Sequence, residues 1–415
     1  MISRVQALNY RCLRFIDRPM GPFHVLVGPN ASGKSTFLDV IAFLGQLVSD
    51  GLEQTLASRS RNFEDLVWQR KGDRIELAVE ASIPPALRKN IEENQFDTIR
   101  YEIAIGLDSE TKEIGLLAER VSFKSGIDAG EPIRELFPAS IQPPDSLIQP
   151  RLPSGTKTIV KKLSGGNDNF YAESGRSYNP SFKLGPRKSA LANLPADESA
   201  FPVSNWLRQL LVEGVQPVFL DSSLLRGASS PGQGRKFRPD GSNLPWVVDH
   251  LRTTDEHRFR EWIRHLQTAL RDLEDVRVIQ REDDKHAYLM LCYKGGLQIP
   301  SWMASDGTLR MLALTLPAYL SDIRGIYLIE EPENGIHPKA VEPIFQSLSS
   351  VYDAQVLLAS HSPVVLSLFE PAQVLCFAKD ASGATDIVAG DKHPALRAWQ
   401  GTPNFNVLFA AGVLS

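Results

Sequence analysis

The run Gly28-Pro29-Asn30-Ala31-Ser32-Gly33-Lys34-Ser35-Thr36 decides how the chain is read. It satisfies the spacing G-x-x-x-x-G-K-[ST], and it stands where that spacing has physical meaning. Before it, FHVLVG from Phe23 is a short apolar run that reads as a strand. After it, STFLDVIAFLGQLV repeats Phe37, Leu38, Ile41, Leu44, Leu47 and Val48 at helical spacing. Glycines between strand and helix let backbone N–H groups curl around a phosphate, and the helix N-terminus adds positive potential. Lys34 would then reach the β- and γ-phosphates of ATP, and the Ser35 hydroxyl would ligate Mg²⁺. The expected nucleotide contacts are Asn30, Ala31, Ser32, Gly33, Lys34, Ser35 and Thr36. A chance turn is the competing reading, and a complete motif in the correct context sets it aside.

Three further runs carry chemistry. IYLIEEPENGIHP, from Ile326 to Pro338, is an apolar strand ending on Glu330 and Glu331. Such a strand brings carboxylates to the carboxyl end of a sheet, the usual ligand crevice of α/β folds. One acid, Glu330, can hold the magnesium shell, while Glu331 polarises the attacking water as a general base. LLASHSP, from Leu357 to Pro363, places His361 just past another apolar strand, where it could steady that water. A capped strand end with a structural histidine is the plainer reading for a lone His. Its place about 30 residues beyond the acidic strand favours the catalytic one. SDGTLR, from Ser305 to Arg310, opens a helix: Ser305 and Asp306 are good N-caps, Gly307 permits close approach, and such an N-terminus is an anion site. On these residues alone an ordinary capped helix is equally open.

The rest of the chain bounds the setting. It has 415 residues, of which 42% are hydrophobic and 23% charged, and the net charge is −4, enough to bury a large core without a strong overall pull on nucleic acid. Cys12, Cys292 and Cys376 lie far apart, which argues against a disulfide scaffold or zinc knuckle and suits a reducing cytosol. MISRVQALNYR lacks the apolar core of a signal peptide, and no run of about 18 apolar residues occurs, so the expectation is a cytoplasmic protein without a membrane segment. RIELAVEASI, IRYEIAIGLD and LLAERVSFKS read as antiparallel strands, whereas roughly 130 to 202 is rich in Pro, Gly and Ser and reads as loop. Strands follow at PVFLD, VRVIQRE, AYLMLCYKG, LQIP, GIYLIEE, AQVLLASHS and VLCFAKD, with helices between them. The expected domains are 1–125, an N-terminal lobe with the phosphate loop and an antiparallel sheet; 126–250, a partly loop-rich, basic insertion; and 251–415, a C-terminal lobe with the remaining motifs. His250, His257 and His265 lack accompanying ligands, so a metal site there is not expected.

From Arg151 to Lys188 the insertion has eight Lys/Arg (Arg151, Lys157, Lys161, Lys162, Arg176, Lys183, Arg187, Lys188) against Asp168 and Glu173. Tyr171, Tyr178 and Phe182 are interleaved and could stack bases. A solvated insertion is the first reading of 151–188, and a DNA or RNA contact is the alternative.

Taken in order, the four motifs resemble the ATP-binding head of the ABC and structural-maintenance-of-chromosomes (SMC) class. The nearest likeness is to the "predicted AAA ATPases" related to the RecF protein and to the ATPase half of OLD-family (overcoming lysogenization defect) nucleases. NYRCLRFIDRPMGPFHVLVGPNASGKSTFLDVIAFL, FEDLVWQRKGD, SDGTLR, IEEPENGIHP and ASHSP carry it, over residues 1–105 and 250–380. The resemblance implies an α/β fold, a P-loop NTPase head of ABC type: a mixed central sheet covered by helices, an antiparallel β subdomain and a loop-rich insertion. It also implies ATP and Mg²⁺, with Lys34 and Ser35 as Walker A residues, Glu330 at the Walker B position, Glu331 as catalytic glutamate and His361 as switch histidine. Asn334 to His337 would form the D-loop, Ser305 and Gly307 the signature, and Gln69 loosely the Q-loop residue. Two departures stand out: glutamate replaces the usual Walker B aspartate, and the signature is S-D-G-T rather than LSGG.

An LSGG does occur, at Leu163–Gly166, but Gly166 lies 164 residues before Glu330 and opens no helix, whereas Gly307 lies 23 before it and does. The resemblance further implies a homodimer formed head to tail on ATP, with the signature of one head completing the γ-phosphate site of the other. OLD proteins carry a Toprim nuclease after the head; about 35 residues follow the last expected strand here, so a nuclease or other effector is expected as a separate protein, in anti-phage defence or DNA maintenance. A nucleotide-switched scaffold with little hydrolysis is the alternative, and the ATPase subunit of a transporter is a more distant one.

Overall fold

The computed structural model describes residues 1–89, 91, 95–108, 112–126, 134–150, 153–175, 179–362 and 368–397. Strands β1 (Ile2–Tyr10) and β2 (Leu13–Pro19) form a hairpin, and β3 (Phe23–Val27) leads into helix α1 (Lys34–Asp50). Strands β4 (Arg74–Ser82), β5 (Thr98–Leu107), β6 (Ile114–Lys124), β7 (Thr156–Leu163), β8 (Asp168–Phe170) and β9 (Ser181–Phe182) follow. Then come β10 (Val215–Val218), β11 (Leu273–Gln280), β12 (Ala287–Tyr293) and β13 (Gln298–Pro300), and finally β14 (Gly325–Glu330), β15 (Ala354–Ala359), β16 (Val374–Lys379) and β17 (Thr385–Ala389).

One sheet has the order β2-β1-β4-β5-β6-β7-β8-β9, and its described pairs are antiparallel. The second has the order β10-β14-β15-β3-β16-β17, parallel except for β17. Strands β11, β12 and β13 make a small third sheet.

Alternation along the strands of the second sheet fills two cores. Leu26, Leu328 and Leu357 face α1 and the antiparallel sheet, where they meet Phe37, Leu38, Ile41 and Phe377. Their neighbours Val25, Val27, Ile329, Val356 and Leu358 face the helices Leu244–Thr254, Glu256–Gln267, Asp306–Thr315 and Pro338–Ser349, with Trp262, Leu312, Ile344 and Phe345 at the centre. The apolar side chains expected on the inner face of α1 are all buried. Within α1, Gly45 lies under the π-helical turn Leu210–Gly214, so close that a Cβ would meet the Leu211 carbonyl oxygen at 2.6 Å.

Two expectations are corrected. The stretch read as loop supplies β7, β8 and β9 to the antiparallel sheet. Its periodicity is hidden because Lys162 points inward and pairs with Asp168 at 2.7 Å, both buried, so a charged residue occupies a core position. VLCFAKD is also not the last strand. Strand β17 follows it, and Asp386 is buried there, ion-paired with Arg134 and accepting from the Ala139 N–H at 2.8 Å. The helix that SDGTLR opens runs from Asp306 to Thr315 and then tightens into a 3₁₀ turn containing Pro317, whose missing N–H cannot continue the ladder.

Candidate nucleotide site

Because β14, β15 and β3 are neighbours, the segments that leave their carboxyl ends converge. After β3, Gly28 (φ 148°) and Gly33 (φ 107°) take conformations open to glycine, and each is also packed too tightly for a side chain. A Cβ on Gly28 would lie 2.2 Å from the Phe377 carbonyl oxygen, and one on Gly33 would lie 2.5 Å from Thr385 Oγ1. Thr385 donates to the Ser32 carbonyl at 2.8 Å, which ties the loop to β17. Lys34 Nζ folds back on the loop and donates to the carbonyls of Gly28 (2.8 Å) and Pro29 (2.9 Å). Burial lowers the Lys34 pKa to about 8, against the opposing pull of Glu331, Glu330 and Glu333. Asn30 and Ala31 are exposed, while the Ser32 hydroxyl is buried with no hydrogen-bond partner among the described residues. Cys12 Sγ lies 3.4 Å from Thr36 Oγ1.

The Ser35 hydroxyl donates to Glu330 Oε2, which brings the two expected magnesium ligands into contact. A hydroxyl and a carboxylate at an exposed site fit Mg²⁺, which takes few protein oxygens and keeps several waters. Glu331 has φ 46°, and its N–H donates to the Ala359 carbonyl at 2.8 Å across to β15. Its carboxylate accepts from Asn334 Nδ2 through Oε2 and lies 3.7 Å from His361 Nε2 through Oε1. The structure therefore groups Lys34, Ser35, Glu330, Glu331 and His361 at one sheet edge; Pro363, the end of the histidine motif, lies outside the described residues.

Ser305 caps the Asp306–Thr315 helix by accepting from the Thr308 N–H at 3.2 Å. Gly307 abuts the turn after Glu331: a Cβ there would be 2.7 Å from the Gly335 carbonyl oxygen. Among the described hydrogen bonds none joins Ser305 or Gly307 to residues 28–36. Gln69 is likewise elsewhere, its amide donating to the Ser382 carbonyl at 3.3 Å. LSGG lies at the β7–β8 turn, where Ser164 bonds Asp108 and Gly166 N–H donates to the Leu163 carbonyl.

Much of the basic tract is used internally. Lys162 is buried, Lys157 Nζ donates to the Glu173 carbonyl at 3.1 Å, and Phe182 stacks on Phe170 with centroids 5.0 Å apart. Lys183 and Lys188 are exposed. Arg151, Arg176 and Tyr178 lie outside the described residues.

Sequence reasoning missed Glu333. Its Oε1 accepts from Ser360 Oγ (2.6 Å), His361 N (2.9 Å) and Ser362 N (3.1 Å). Only the proximity of two strand ends gives it this role, and no spacing within E-E-P-E-N announces it.

This arrangement of strand order, phosphate-type loop and acidic strand end defines a P-loop ATPase head of the ABC type. A family described as "AAA domain, putative AbiEii toxin, Type IV TA system" matches residues 23–367, and the chain belongs to that family. A solved SMC head, described as bound to the C-winged helix domain of ScpA, superimposes with a TM-score of 0.51 at 11% identity, covering 93% of this chain and 96% of that one, a likeness of fold. The OLD nuclease of Thermus scotoductus (strain ATCC 700910 / SA-01) is 51% identical over 41 residues. That match spans 10% of this chain and 8% of the nuclease. Among the described residues no helix is long and apolar enough to cross a membrane.

Proposed function

We propose that the chain hydrolyses ATP with Mg²⁺ and that two copies pair head to tail around the nucleotide to control a separate effector, a nuclease or other toxin, in cytoplasmic anti-phage defence or DNA maintenance. The observation that carries the hydrolytic reading is the pairing of Glu331 and His361 at 3.7 Å beside the loop that holds Lys34. The toxin–antitoxin wording of the family description supports control of, or by, a partner.

In this mechanism Lys34 exchanges the Gly28 and Pro29 carbonyls for the β- and γ-phosphate oxygens, and Ser32 offers its unpartnered hydroxyl to the same anion. Ser35 and Glu330 would hold Mg²⁺, which when bound neutralises phosphate charge. Glu331 takes a proton from the attacking water as the water oxygen bonds to the γ-phosphorus, and the bond to the ADP oxygen breaks. His361 orients that water. Ser305 and Gly307 belong to a helix N-terminus with no described bond to its own phosphate loop, which supports its use by a second copy.

Glu331→Gln should keep ATP binding and accumulate an ATP-dependent dimer in size-exclusion chromatography. A monomeric elution of that variant with saturating Mg–ATP would sink the pairing. The bond from Asn334 to Glu331 favours a second reading, a nucleotide-switched scaffold in which the base is held back. A steady-state phosphate-release assay on the wild type separates the two.

A further inference from the structure

The chain leaves β14 through Glu330, Glu331, Pro332 and Glu333, and the left-handed backbone at Glu331 turns it back across the end of β15. That turn delivers the Glu333 carboxylate to the first three residues beyond β15. One oxygen, Oε1, gathers the Ser360 hydroxyl and the N–H groups of His361 and Ser362. Ser360 is itself buried, and its hydroxyl oxygen also accepts from the Ser362 N–H at 3.1 Å. The other oxygen, Oε2, is buried and has no hydrogen-bond partner among the described residues.

Leaving a carboxylate oxygen buried and unpaired is costly, so the three bonds on Oε1 must repay it. The bonds fix the main chain on which the imidazole is mounted, while Glu331 faces the imidazole itself at 3.7 Å. The two acids thus hold His361 from opposite ends, one at its N–H and the other at Nε2.

We infer that Glu333 is a positioning residue for the hydrolysis proposed above: it sets the His361 backbone so that the ring and the Glu331 carboxylate meet at the attacking water. The inference rests on that reading of Glu331 and His361. Glu333 does not touch substrate; it acts through the strand end it gathers.

Four variants test it. E333A removes all three bonds and should lower kcat by about 10–100-fold, the range typical when a supporting hydrogen-bond partner is lost, while KM for ATP moves less than about threefold. E333Q keeps a carbonyl oxygen for the same donors and should stay within about threefold of wild type. In a His361→Ala background E333A should cost nothing further, because the residue it positions is gone. If E333A does not fold, E333D, whose oxygens are withdrawn by one methylene, should be slow where E333Q is not. Hydrogen exchange of the peptide carrying His361 and Ser362 gives a readout without turnover: faster in E333A, unchanged in E333Q. Multiplying losses in the double variant, or wild-type exchange in E333A, overturns the positioning role alone. A wild type that binds ATP through Lys34 yet never hydrolyses it overturns the ATPase reading, and the positioning role with it.

Discussion

Gly307→Ala is the sharpest perturbation of the paired-head reading, because one methyl group meets backbone. The added Cβ would stand 2.7 Å from the Gly335 carbonyl oxygen and 3.6 Å from Ile336 Cα. Ordinary contact begins near 3.4 Å, so the 331–337 turn must retreat by roughly 0.7 Å. Such overpacking costs about 1–3 kcal/mol, and alanine returns about 0.5–1 kcal/mol by favouring the helix. The net loss of stability is therefore small, on the order of 1 kcal/mol. The same turn begins at Glu331, and a displacement near 1 Å in a catalytic group costs on the order of 100-fold in rate. Gly307→Ala should fold, lose at least about tenfold in phosphate release and fail to dimerise on ATP. Gly166→Ala is the matched control: its Cβ would meet nothing nearer than 3.6 Å, and it should behave as wild type in urea unfolding, turnover and sizing. Wild-type turnover and dimerisation in Gly307→Ala, or equal damage from Gly166→Ala, would refute the assignment of SDGT over LSGG.

Other outcomes follow from the same geometry. Lys34→Ala should abolish binding of a fluorescent ATP analogue while leaving the circular dichroism spectrum unchanged, since its two bonds stay within the loop. Burial holds the His24 pKa at about 4, and its Nε2 accepts from the Gly21 N–H, so the folded chain keeps this ring neutral where an unfolded chain protonates it. That contribution is fully present above about pH 6.5 and is lost as pH falls from there to about 4, on the order of 3 kcal/mol, a slope that His24→Gln should reduce in denaturation titrations. Lys162→Ala strands Asp168 in the core and should destabilise by about 3–5 kcal/mol, whereas Lys161→Ala should not; equal, mild effects in urea unfolding would return the tract to a solvated surface.

The parts of this fold legible in the sequence are those where one periodicity rules. Strand β3 is buried at every position and apolar at all but His24, because helices or sheet cover both faces, and α1 carries an unbroken helical stripe. Strand β7 is obscured by a buried ion pair that looks polar until its partner, Asp168, is brought alongside by the β8 turn. Strand β17 follows a short Asp-Ala-Ser-Gly turn, and its buried Asp386 depends on Arg134, far away in sequence. At the site, Lys34, Ser35, Glu330, Glu331 and His361 stand at strand ends that the fold places together, so their residue types and order pointed to them. Glu333 does not: its meaning lies in three donors 27 to 29 positions away.

The absence of a side chain at Gly45 reaches beyond packing. The described residues between β6 and β10 give the antiparallel sheet its strands β7, β8 and β9 and end in a π-helical turn that lands on the helix beginning at Lys34. Main chain rests there on main chain, with no flexible side chain between them to absorb a displacement. A shift of the Leu210–Gly214 turn is therefore passed straight to the helix whose first residue is Lys34, at the end of the phosphate loop.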